Sequence, residues 1–547
     1  MNWRFRSKKE ISKHDPDMII DHLLNLRGIT HKESFLNPNP HHLHDPYKLK
    51  NIKEASIRII SAIKNREKIM IYGDYDADGI SAVSLLYIVL KKLNADVGFY
   101  LPSRMEEGYG LNEDAIKQIK NGGTDLIITV DCGINDLSEI SLAKKLGMDI
   151  IVTDHHTPEV ENPHEFVINP KLSCDYPYPD LAGVGVAFKL CEGIEKISDL
   201  SRNFLLWNLD LVALGTVADV MPLTGENRVI TSLGLKIMNE RRRPGINATL
   251  NTAGQKGEIK AHHIGFIIGP RINALGRLDE ALEAVEILIT YNNRKVKKLA
   301  QTLENCNKKR KQIQKQILQE ALQHIQTKDI PANKSGIVLS AINWHEGVIG
   351  IVSSKIAEKF NQPTILISEN DDVCKGSGRS IPGFDLIETI EECREFLEDF
   401  GGHPMACGIK IKKENIKDFT SFYNKTVKLK LKKKNLERRL SVDCPLSIHA
   451  ISEELIRRIN KMAPFGIGNP EPTFATLNIE LLGDSTIVGN NHLRFTVRDG
   501  NKHIPAIAFG QGEKEELLRR KSRVDIAYAP IIDNWSGKPI LKVYDIK

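Results

Sequence analysis

The chain has 547 residues, a formal net charge of +6, and 41% hydrophobic and 27% charged residues. Because one hydrophobic core does not organise so long a chain, about three to five domains are expected, and the composition excludes wholesale disorder. No apolar run approaches the about 18–20 residues of a transmembrane helix, so no membrane partner is expected. The eight cysteines form no C-x-x-C pair, which indicates a reduced, cytoplasmic protein without a thiolate zinc site.

Strand-like and helix-like runs alternate along the first half of the chain. Residues 1–50 are polar and predict an extension of short helices and loops. From 51 to 290 the alternation predicts βαβ units and a parallel sheet. Three apolar runs in this region predict buried strands, namely Lys68–Tyr72, Leu126–Val130 and Ile150–Thr153.

The second half predicts three further regions. A long, lysine-rich helix is predicted over about 291–326, in a connecting segment that ends at 330. A second α/β region covers 331–435, and short strand-like runs separated by Gly and Asn predict a small β-barrel over 436–547. The predicted fold class is therefore α/β with a C-terminal β-barrel. Four aromatic residues of the barrel are candidates for base stacking, although aromatic residues of a small barrel more often pack in its core: Phe495, Phe509, Tyr528 and Trp535.

Acids and histidines follow directly on the three predicted strands. These segments are Asp74-Tyr75-Asp76-Ala77-Asp78, Asp131 and Asp154-His155-His156. Ligand-binding residues of an open parallel sheet lie beyond the carboxyl ends of its strands, so the segments are expected to converge, and Asp219 can join them. Crowded carboxylates hold either protons or cations, and the imidazoles favour metal. Taken singly, each segment has an ordinary alternative: a turn with solvated acids, a surface histidine pair, or a helix cap at Asp219.

The mixture of ligand types predicts which ions bind. Oxygen ligands alone suit Mg²⁺ or Ca²⁺, whereas carboxylates mixed with imidazole favour Mn²⁺, Fe²⁺ or Zn²⁺. Two divalent ions ~3.5–4 Å apart, bridged by Asp131, would suit phosphoester hydrolysis by a water molecule. His156, beside a ligand His155, is expected to contact the phosphate or to protonate the leaving group.

These segments resemble the DHH phosphoesterase superfamily, which is named for the triplet present here as Asp154-His155-His156. Residues 73–79 match its first motif, 130–133 its second and 217–223 its fourth. Further matching motifs follow in order at 269–277, 344–350, 377–380, 401–408 and 464–470. The later motifs look like the associated DHHA1 substrate-binding domain and an OB-fold, which is the layout of the single-strand-specific exonuclease branch of the superfamily.

The resemblance implies an exonuclease that releases mononucleotides from single-stranded DNA in the 5′→3′ direction, in recombination and repair. Two divalent ions are implied, with Mn²⁺ favoured and Mg²⁺ as the alternative. A cytoplasmic monomer is implied, with a single-strand-binding protein and a helicase as further partners. The implied metal ligands are Asp74, Asp76, Asp78, Asp131, His155 and Asp219, and the implied catalytic residues are His156, Asp131 and Asp74.

Two positions depart from the family pattern. Many members have a histidine two residues before the first aspartate, where this chain has Tyr72. One metal is therefore expected to bind more weakly, or to be completed by water or another side chain. Cys407 replaces the second alanine of the glycine-rich motif at 401–408, a small-for-small change without an expected effect.

Basic and small residues outside the metal set are expected to contact the DNA backbone. Glycines let a phosphate approach the main chain, and a neighbouring guanidinium can bind it bidentately. The candidates are Arg271, Asn273, Arg277, Arg379, Ser380, Gly402 and His403. Ordinary turns and a packed histidine at 403 are the alternatives, and Arg241-Arg242-Arg243 predicts only a basic turn.

Two other functions fit part of the pattern. A DHH-type phosphodiesterase of short oligonucleotides or cyclic dinucleotides would need the same ligands but not a long terminal barrel. A non-catalytic scaffold that binds single-stranded DNA would need the barrel but not the intact acids. Activity on long strands against dinucleotides separates the first alternative, and strand binding without degradation would indicate the second.

Overall fold

The computed structural model describes residues 1–9, 15–104, 107–159, 164–277, 281–327, 335–432, 439–489, 491–533 and 535–547. These residues divide into two compact units. The first consists of Met1–Pro270, Val285–Val296 and Arg439–Lys547, and the second of Arg271–Ala284 and Lys297–Arg438. Within the described ranges, no helix has both the length and the apolar character that crossing a bilayer requires.

The N-terminal segment contributes one strand and two helices to the first unit. They are β1 (Asn2–Phe5), α1 (Pro16–Leu26) and α2 (Lys32–Leu36). Helix α1 begins where Asp15 accepts a hydrogen bond from the backbone N–H of Asp17, and a proline occupies its first turn. Its buried residues recur at helical spacing, which gives α1 one apolar face.

A five-stranded parallel sheet forms the centre of the first unit, in the order β3-β2-β4-β5-β6. Its elements are α3 (Ile52–Asn65), β2 (Lys68–Gly73), α4 (Ala77–Lys92), β3 (Asp96–Tyr100), α5 (Glu113–Asn121), β4 (Leu126–Val130), α6 (Leu137–Lys145), β5 (Asp149–Thr153) and β6 (Val167–Ile168). Every residue of β4 is buried, as expected for a parallel strand covered on both faces. The three apolar runs identified in the sequence are β2, β4 and β5.

Helices follow the sheet. They are α7 (Gly183–Glu195), α8 (Arg202–Leu206), α9 (Leu209–Ala218), α10 (Gly225–Asn239), α11 (Pro244–Thr252), α12 (Ala261–His263), a π-helical turn (Ile264–Ile268), α13 (Gly269–Gly276) and α14 (Ala281–Ile289). Helix α4 packs against β2, α7 and α9, which explains why most of its residues are buried. The predicted basic turn is only partly correct, because Arg243 is 7% exposed and its guanidinium pairs with Asp210.

The second unit contains a five-stranded mixed sheet, in the order β10-β11-β9-β8-β7, in which only β7 and β8 are parallel. A long helix, α15 (Asn293–Thr327), precedes it and corresponds to the helix predicted over 291–326. The remaining elements are β7 (Ile337–Ala341), α16 (Glu346–Phe360), β8 (Thr364–Ser368), β9 (Val373–Arg379), α17 (Leu386–Glu391), β10 (Asp399–His403), β11 (Ala406–Lys412) and α18 (Ile416–Lys432). The predicted boundaries at 330/331 and 435/436 lie outside the described residues.

The C-terminal region of the first unit is a curved seven-stranded sheet, in the order β13-β14-β18-β19-β17-β16-β15. A further pairing of β14 with β16 brings the sheet round on itself. The elements are β12 (Arg439–Val442), β13 (Cys444–Pro445), α19 (Glu453–Asn460), β14 (Phe474–Leu481), β15 (Thr486–Val488), β16 (His492–Asp499), β17 (Lys502–Ala508), α20 (Glu515–Arg520), β18 (Arg523–Ile532) and β19 (Pro539–Ile546).

Two of the four stacking candidates are wrong. Phe495 and Tyr528 are buried in the core of the C-terminal sheet, where they pack rather than face solvent. Phe509 and Trp535 are exposed. Phe495 lies on the buried side of β16 and Tyr528 in a buried stretch of β18, whereas Phe509 follows the last residue of β17 and Trp535 lies between β18 and β19.

The N-terminal segment packs on the C-terminal sheet. Strand β1 pairs in parallel with β12, and the apolar face of α1, including Ile19 and Leu23, lies in one core with Phe474 and Tyr528. The predicted fold class is confirmed: a parallel-sheet α/β domain, a long helix, a second α/β domain and a C-terminal OB-type sheet.

Candidate metal centre

The predicted ligand segments lie at the carboxyl ends of β2, β4 and β5, and Asp219 lies at the end of α9. In the loop after β2, Asp76 Oδ1 accepts hydrogen bonds from the backbone N–H groups of Asp78 (2.8 Å) and Gly79 (3.1 Å) and so caps α4. An added Cβ at Gly79 would lie 2.5 Å from the backbone oxygen of Asp74, so the tight turn requires glycine.

Backbone N–H groups in the first turn of α7 hold Asp78. Its Oδ2 accepts from Gly183 at 2.7 Å and its Oδ1 from Val184 at 3.0 Å. The positive end of a helix dipole suits a carboxylate. Gly215 of α9 leaves room for this arrangement, because a Cβ there would lie 2.4 Å from Asp78 Oδ1.

Asp131 follows β4 in the left-handed region of backbone space, with φ +65°. This turn directs a side chain that is 3% exposed into the space beside α7. A Cβ at Gly183 would lie 2.4 Å from Asp131 Oδ1, so glycine lets the helix approach. The Tyr109 hydroxyl donates to the backbone oxygen of Asp131 at 3.1 Å and lies 3.0 Å from Nδ1 of His156.

Asp154 is not among the ligands and catalytic residues that the resemblance implies, but the structure places it beside both histidines. It is fully buried, and its Oδ1 accepts from the backbone N–H groups of His155 (2.7 Å) and His156 (3.0 Å) and lies 2.8 Å from His156 Nδ1. Its Oδ2 accepts from the N–H of Ile134 at 3.0 Å. Asp154 therefore orients both histidines, and the available signal was its place in the same triplet. Tyr109, in the loop after β3, gave no comparable signal.

His155 joins the acids from different segments. Its Nε2 lies 3.2 Å from Asp131 Oδ1 and 3.7 Å from Asp219 Oδ2. The shorter distance is not a hydrogen bond, and Asp131 Oδ1 has no hydrogen-bond partner among the described residues. The two atoms are close without being bonded to each other, as two ligands of one cation would be.

The seven predicted side chains meet in one place. Three groups of ligand atoms each lie within 4.8 Å of one another: Asp74, Asp76 and Asp131; Asp78, His155 and Asp219; Asp131, His155 and His156. Asp131 and His155 each belong to two groups, so the groups overlap. The convergence expected from the strand ends is present, and the fourth segment joins it.

Burial and mutual repulsion raise the pKa values of the carboxyl groups. Burial and the charge of Asp76 raise the pKa of Asp74 to about 8 and that of Asp219 to about 7. Burial, followed by neighbouring acids, also raises the pKa values of Asp78 and Asp131 well above the ordinary range. Without a cation these groups therefore retain protons to a higher pH than ordinary aspartates do.

The pKa values of the two histidines are shifted in opposite directions. Burial and the neighbouring His156 lower the pKa of His155 to about 3, which keeps its imidazole neutral, the form that binds metals. Burial opposes the charged form of His156 as well, but the hydrogen bond and charge of Asp154 outweigh it and raise the pKa of His156. Burial alone would raise the pKa of Asp154, but the hydrogen bond and charge of His156 lower it below its ordinary value.

The donor set fits a divalent cation. Asp74 Oδ1 and Asp131 Oδ1 are buried without a hydrogen-bond partner in the described part of the chain, although buried polar atoms are normally satisfied. Clustered carboxylates with imidazole suit Mn²⁺ and, with fewer nitrogen ligands, Mg²⁺. A cation would satisfy both oxygens and relieve the repulsion among the acids.

Tyr72, at the position of the family histidine, supplies no ligand. Its ring is fully buried in the core between the sheet and α5 and α6. The hydroxyl donates to the backbone oxygen of Gly110 at 3.0 Å and accepts from Asn112 at 3.3 Å. The Tyr72 side chain is therefore not available as a ligand, and weaker metal binding, or completion by water or another side chain, stays a prediction.

The predicted substrate-binding residues all belong to the second unit, and several already have intramolecular partners. Arg271 is 6% exposed and forms an ion pair with Glu304 through Nε (2.8 Å) and Nη2 (2.7 Å). Ser380 is buried, and its hydroxyl donates to the backbone oxygen of Phe384 at 2.7 Å. These groups hold the fold, so a phosphate contact by either competes with an existing partner.

Arg277 and Arg379 lie beside the N-terminal part of α16. Arg277 Nη1 donates to the backbone oxygen of Gly347, and a Cβ at Gly350 would lie 3.2 Å from Arg379 Nη2. Asn273 is half-buried on α13. Gly402 and His403 are exposed at the end of the β10–β11 hairpin, which removes the packed alternative for the histidine. Gly402 has φ +145°, and a Cβ there would lie 2.3 Å from the backbone oxygen of Ala406.

Two solved structures resemble the whole chain. The crystal structure of RecJ in complex with Mn²⁺ from Thermus thermophilus has a TM-score of 0.84 and 27% identity, and covers 100% of this chain and 79% of that chain. The complex with Mg²⁺ from the same organism has a TM-score of 0.78 and 26% identity, and covers 100% of this chain and 78% of that chain.

Curated proteins named "Single-stranded-DNA-specific exonuclease RecJ" are also similar. The Bacillus subtilis protein is 38% identical over 539 residues, which are 96% of this chain and 67% of that protein. The Haemophilus influenzae protein is 34% identical over 93% of this chain and 91% of its own length. The Escherichia coli protein is 33% identical over 90% and 89%, respectively.

Family models match three regions in chain order. The DHH family N-terminal domain matches 68–216, the DHHA1 domain 333–429 and the RecJ OB domain 442–544. A parallel sheet with converging acids and imidazoles, in this domain order, defines a DHH phosphoesterase, a metal-dependent hydrolase. Within that class the chain belongs to the RecJ family. The predicted family, enzyme class and Mn²⁺ or Mg²⁺ cofactor are thereby confirmed.

Proposed function

We propose that this chain hydrolyses single-stranded DNA from its 5′ end, releases mononucleotides, and acts in recombination and repair. The observation that carries the proposal is the sharing of Asp131 and His155 between adjacent groups of ligand atoms, which suits two neighbouring divalent ions. Curated relatives of the same family carry the name of single-stranded-DNA-specific exonucleases. An OB-type domain supports a single-stranded substrate, since such domains bind single strands.

In this proposal the acids and His155 hold the ions. The residues that would hold them are Asp74, Asp76, Asp78, Asp131, His155 and Asp219, of which Asp131 and His155 belong to two of the ligand groups. Bound Mn²⁺ or Mg²⁺ supplies charge neutralisation at the phosphate and lowers the pKa of a water molecule. The protein contributes fixed positions, because Asp78 is held by two backbone N–H groups and Asp131 by its turn and by Tyr109.

His156 has a separate role as a proton donor. Asp154 lies 2.8 Å from its Nδ1, so this nitrogen is occupied and Nε2 is the nitrogen that can act on substrate. A proton on Nε2 would stabilise charge on the phosphate oxygens or pass to the leaving oxygen. In either case Asp154 would keep the imidazole ring oriented.

The second unit is proposed to bind the strand backbone. Arg277 and Arg379 lie beside the first turn of α16, where the helix dipole is positive and where the side chain of His345 already accepts from the N–H of Gly347. Helix N-termini and guanidinium groups are complementary to phosphate. Asn273, Gly402 and His403 are candidates for further contacts, and Arg271 and Ser380 would contribute by holding the local fold.

The remaining expectations are part of the proposal. The domains are an N-terminal extension (1–50), the DHH catalytic domain (51–290), a connecting helix (291–330), the DHHA1 domain (331–435) and the OB-fold domain (436–547). We infer a cytoplasmic monomer that works with a single-strand-binding protein and a helicase. Sedimentation with and without DNA would test the monomeric state.

End-labelled DNA tests class, polarity and cofactor together. Single and double strands labelled at either end are incubated with Mn²⁺, Mg²⁺ or chelator, beside a dinucleotide and a cyclic dinucleotide. We expect a 5′ label on single strands to appear at once as mononucleotide, and chelator to stop the reaction. Preference for the dinucleotides would instead indicate a phosphodiesterase of small substrates. Strand binding without any degradation would indicate a scaffold.

A further inference from the structure

A loop of the C-terminal domain contacts the chain immediately after the metal-site residue Asp219. Asp219 ends α9, and the next residues, 220–224, lead to α10. The backbone N–H of Leu223 donates to the backbone oxygen of Ile467 at 2.7 Å. We name residues 464–469 the docking loop. They correspond to most of the sequence motif at 464–470, to which the catalytic proposal gives no role.

The contact between the two segments is close on both sides of this hydrogen bond. A Cβ at Gly466 would lie 2.7 Å from Leu223 Cδ1, and one at Gly468 would lie 2.9 Å from Thr224 Cγ2. Gly468 also has φ +74°, which disfavours other residues. Two glycines therefore let the docking loop lie directly on residues 222–224.

The docking loop is itself fixed. Asn469 is 2% exposed, and its Nδ2 donates to the backbone oxygens of Met462 and Pro464, each at 2.8 Å. From the other side, Arg228 of α10 donates to the backbone oxygens of Met462 (2.8 Å) and Ala463 (2.9 Å). Arg228 thus binds the two residues that precede the docking loop, and Asn469 binds the loop to Met462, so the loop is connected to the catalytic domain.

The turn that carries Asp219 needs such support. Val220 follows it with φ +61°, a region that is strained for a β-branched residue and in which glycine usually ends a helix. The side chain of Val220 is 63% exposed, so packing of that side chain does not compensate for the strain. Backbone N–H groups of the turn donate back into α9, from Val220 to Val217 O and from Met221 to Thr216 O, each at 3.2 Å. Beyond the turn, the backbone oxygen of Pro222 accepts from Tyr178 and Asn227, each at 3.1 Å, and the N–H of Leu223 donates to the docking loop.

We propose that the docking loop is a positioning element of the metal centre, which fixes the carboxylate of Asp219 by holding residues 221–224. The C-terminal domain would then contribute to metal binding as well as to strand binding. This inference rests on the proposed metal centre but not on the identity of the substrate. Residues that orient metal ligands typically change metal affinity about 10–100-fold when they are altered.

The test compares two glycines of the C-terminal domain in the full-length chain. Gly468→Ala adds a methyl group against Thr224, whereas Gly483→Ala adds one at a similar φ of +71° with nothing within 4 Å. Mn²⁺ affinity is measured by calorimetry and by the electron paramagnetic resonance signal of free Mn²⁺. We expect Gly468→Ala to weaken Mn²⁺ binding by about tenfold and Gly483→Ala by less than about twofold. Affinity for a single strand in chelator should be similar in both.

A second substitution separates this contact from a general loss of structure. Thr224→Ser removes Cγ2 and keeps the hydroxyl, which lies 3.2 Å from that of Tyr178. In the Gly468→Ala background it should restore most of the Mn²⁺ affinity. Equal affinity in the two alanine variants, or a loss that Thr224→Ser does not restore, would overturn the inference.

Two further comparisons cover the remaining results. If Gly468→Ala does not fold, Gly466→Ala tests the contact with Leu223: it should weaken Mn²⁺ binding, and Leu223→Val in the same chain should restore it. Failure of the wild-type chain to bind Mn²⁺ would contradict the proposed metal centre itself. Normal Mn²⁺ binding that is insensitive to the docking loop would contradict only the inference.

Discussion

Oδ2 of Asp78 accepts a hydrogen bond from the backbone N–H of Gly183 at 2.7 Å, which joins the loop after β2 to the first turn of α7. The same glycine faces Asp131, whose Oδ1 would lie 2.4 Å from an added Cβ. One residue of α7 thus sets the positions of two proposed ligands. A helix that begins at this point brings together acids that lie more than fifty residues apart in the chain.

Gly183→Ala is expected to impair the metal centre without unfolding the domain. The new methyl group must displace Asp131 or α7, so hydrolysis should fall by at least about a hundredfold and Mn²⁺ should bind more weakly. Gly265→Ala is a suitable control, because a Cβ at that helical position meets nothing within 4 Å. Mn²⁺ titrations of nuclease activity measure the effect, and equal activity of the two variants would contradict it.

Asp131→Asn should abolish hydrolysis and still increase the stability of the metal-free protein. The substitution removes a buried acid whose pKa is raised by burial and by its acidic neighbours, so repulsion decreases. Thermal unfolding in chelator should occur at a higher temperature than for the wild type, whereas the stabilisation by Mn²⁺ should shrink. Strand binding should persist. Near-normal turnover would refute the proposed role of Asp131.

Mn²⁺ affinity should rise with pH between about 6 and 8 and then level off. Below these values Asp74, with a pKa of about 8, and Asp219, with a pKa of about 7, hold protons that the ion must displace. Calorimetry at pH 6.5 in buffers of different ionisation enthalpy should detect protons released on binding. Affinity that does not depend on pH would contradict this expectation.

The same two groups predict the pH dependence of the metal-free fold. Between their ordinary pKa of 3.8 and the raised values, the folded chain binds more protons than the unfolded chain. Their contribution to the free energy of unfolding therefore falls as pH rises from about 4 to 8. Urea unfolding in chelator at pH 5.5 and 8 should show this trend, which added Mn²⁺ should remove at the higher pH.

Asp154→Asn should lower turnover more than metal affinity. Without the carboxylate charge, the pKa of His156 falls and the ring loses its fixed orientation, so turnover should decrease about 10–100-fold. The activity that depends on protonated His156 should also be lost at a lower pH than in the wild type. Turnover measured across pH at saturating Mn²⁺ tests both effects. An unchanged pH profile would indicate that Asp154 is structural only.

Leu23→Ala should destabilise the C-terminal sheet, although Leu23 belongs to α1. Its side chain is fully buried in the core that contains Phe474 and Tyr528, so the cost should be about 2–5 kcal/mol. Met18→Ala, on the same helix at a position that is 46% exposed, should have little effect. Hydrogen exchange should become faster in β14 and β18. Faster exchange in α1 alone would contradict the shared core.

The metal set was predictable because two simple rules determine it. Apolar runs identify parallel strands, and residues just beyond the carboxyl ends of such strands lie at one edge of the sheet. Asp131 and His155 meet for that reason. Tyr72 shows the limit of the motif comparison: alternation along β2 places its side chain in the core, away from the acids that follow it.

Hydrogen-bond partners that other helices and loops bring to the site were not predictable from the sequence. The N–H of Gly183 and the hydroxyl of Tyr109 reach the site from segments whose patterns predict only a helix and a loop. Likewise, the apolar face of α1 predicts that the helix packs on a core but does not say which one. The ion pair of Arg243 with Asp210 was unpredictable for the same reason, because a run of three arginines does not show which of them is buried against an acid.

The shared core of α1 and the C-terminal sheet has a consequence for synthesis. Residues 16–26 leave the ribosome more than four hundred residues before 444–546, with which they pack. At about 5–20 residues per second, the apolar face of α1 therefore waits for tens of seconds before its partner exists. During that interval the nascent chain exposes a surface that chaperones bind, and the nuclease cannot assemble fully until translation has passed its barrel.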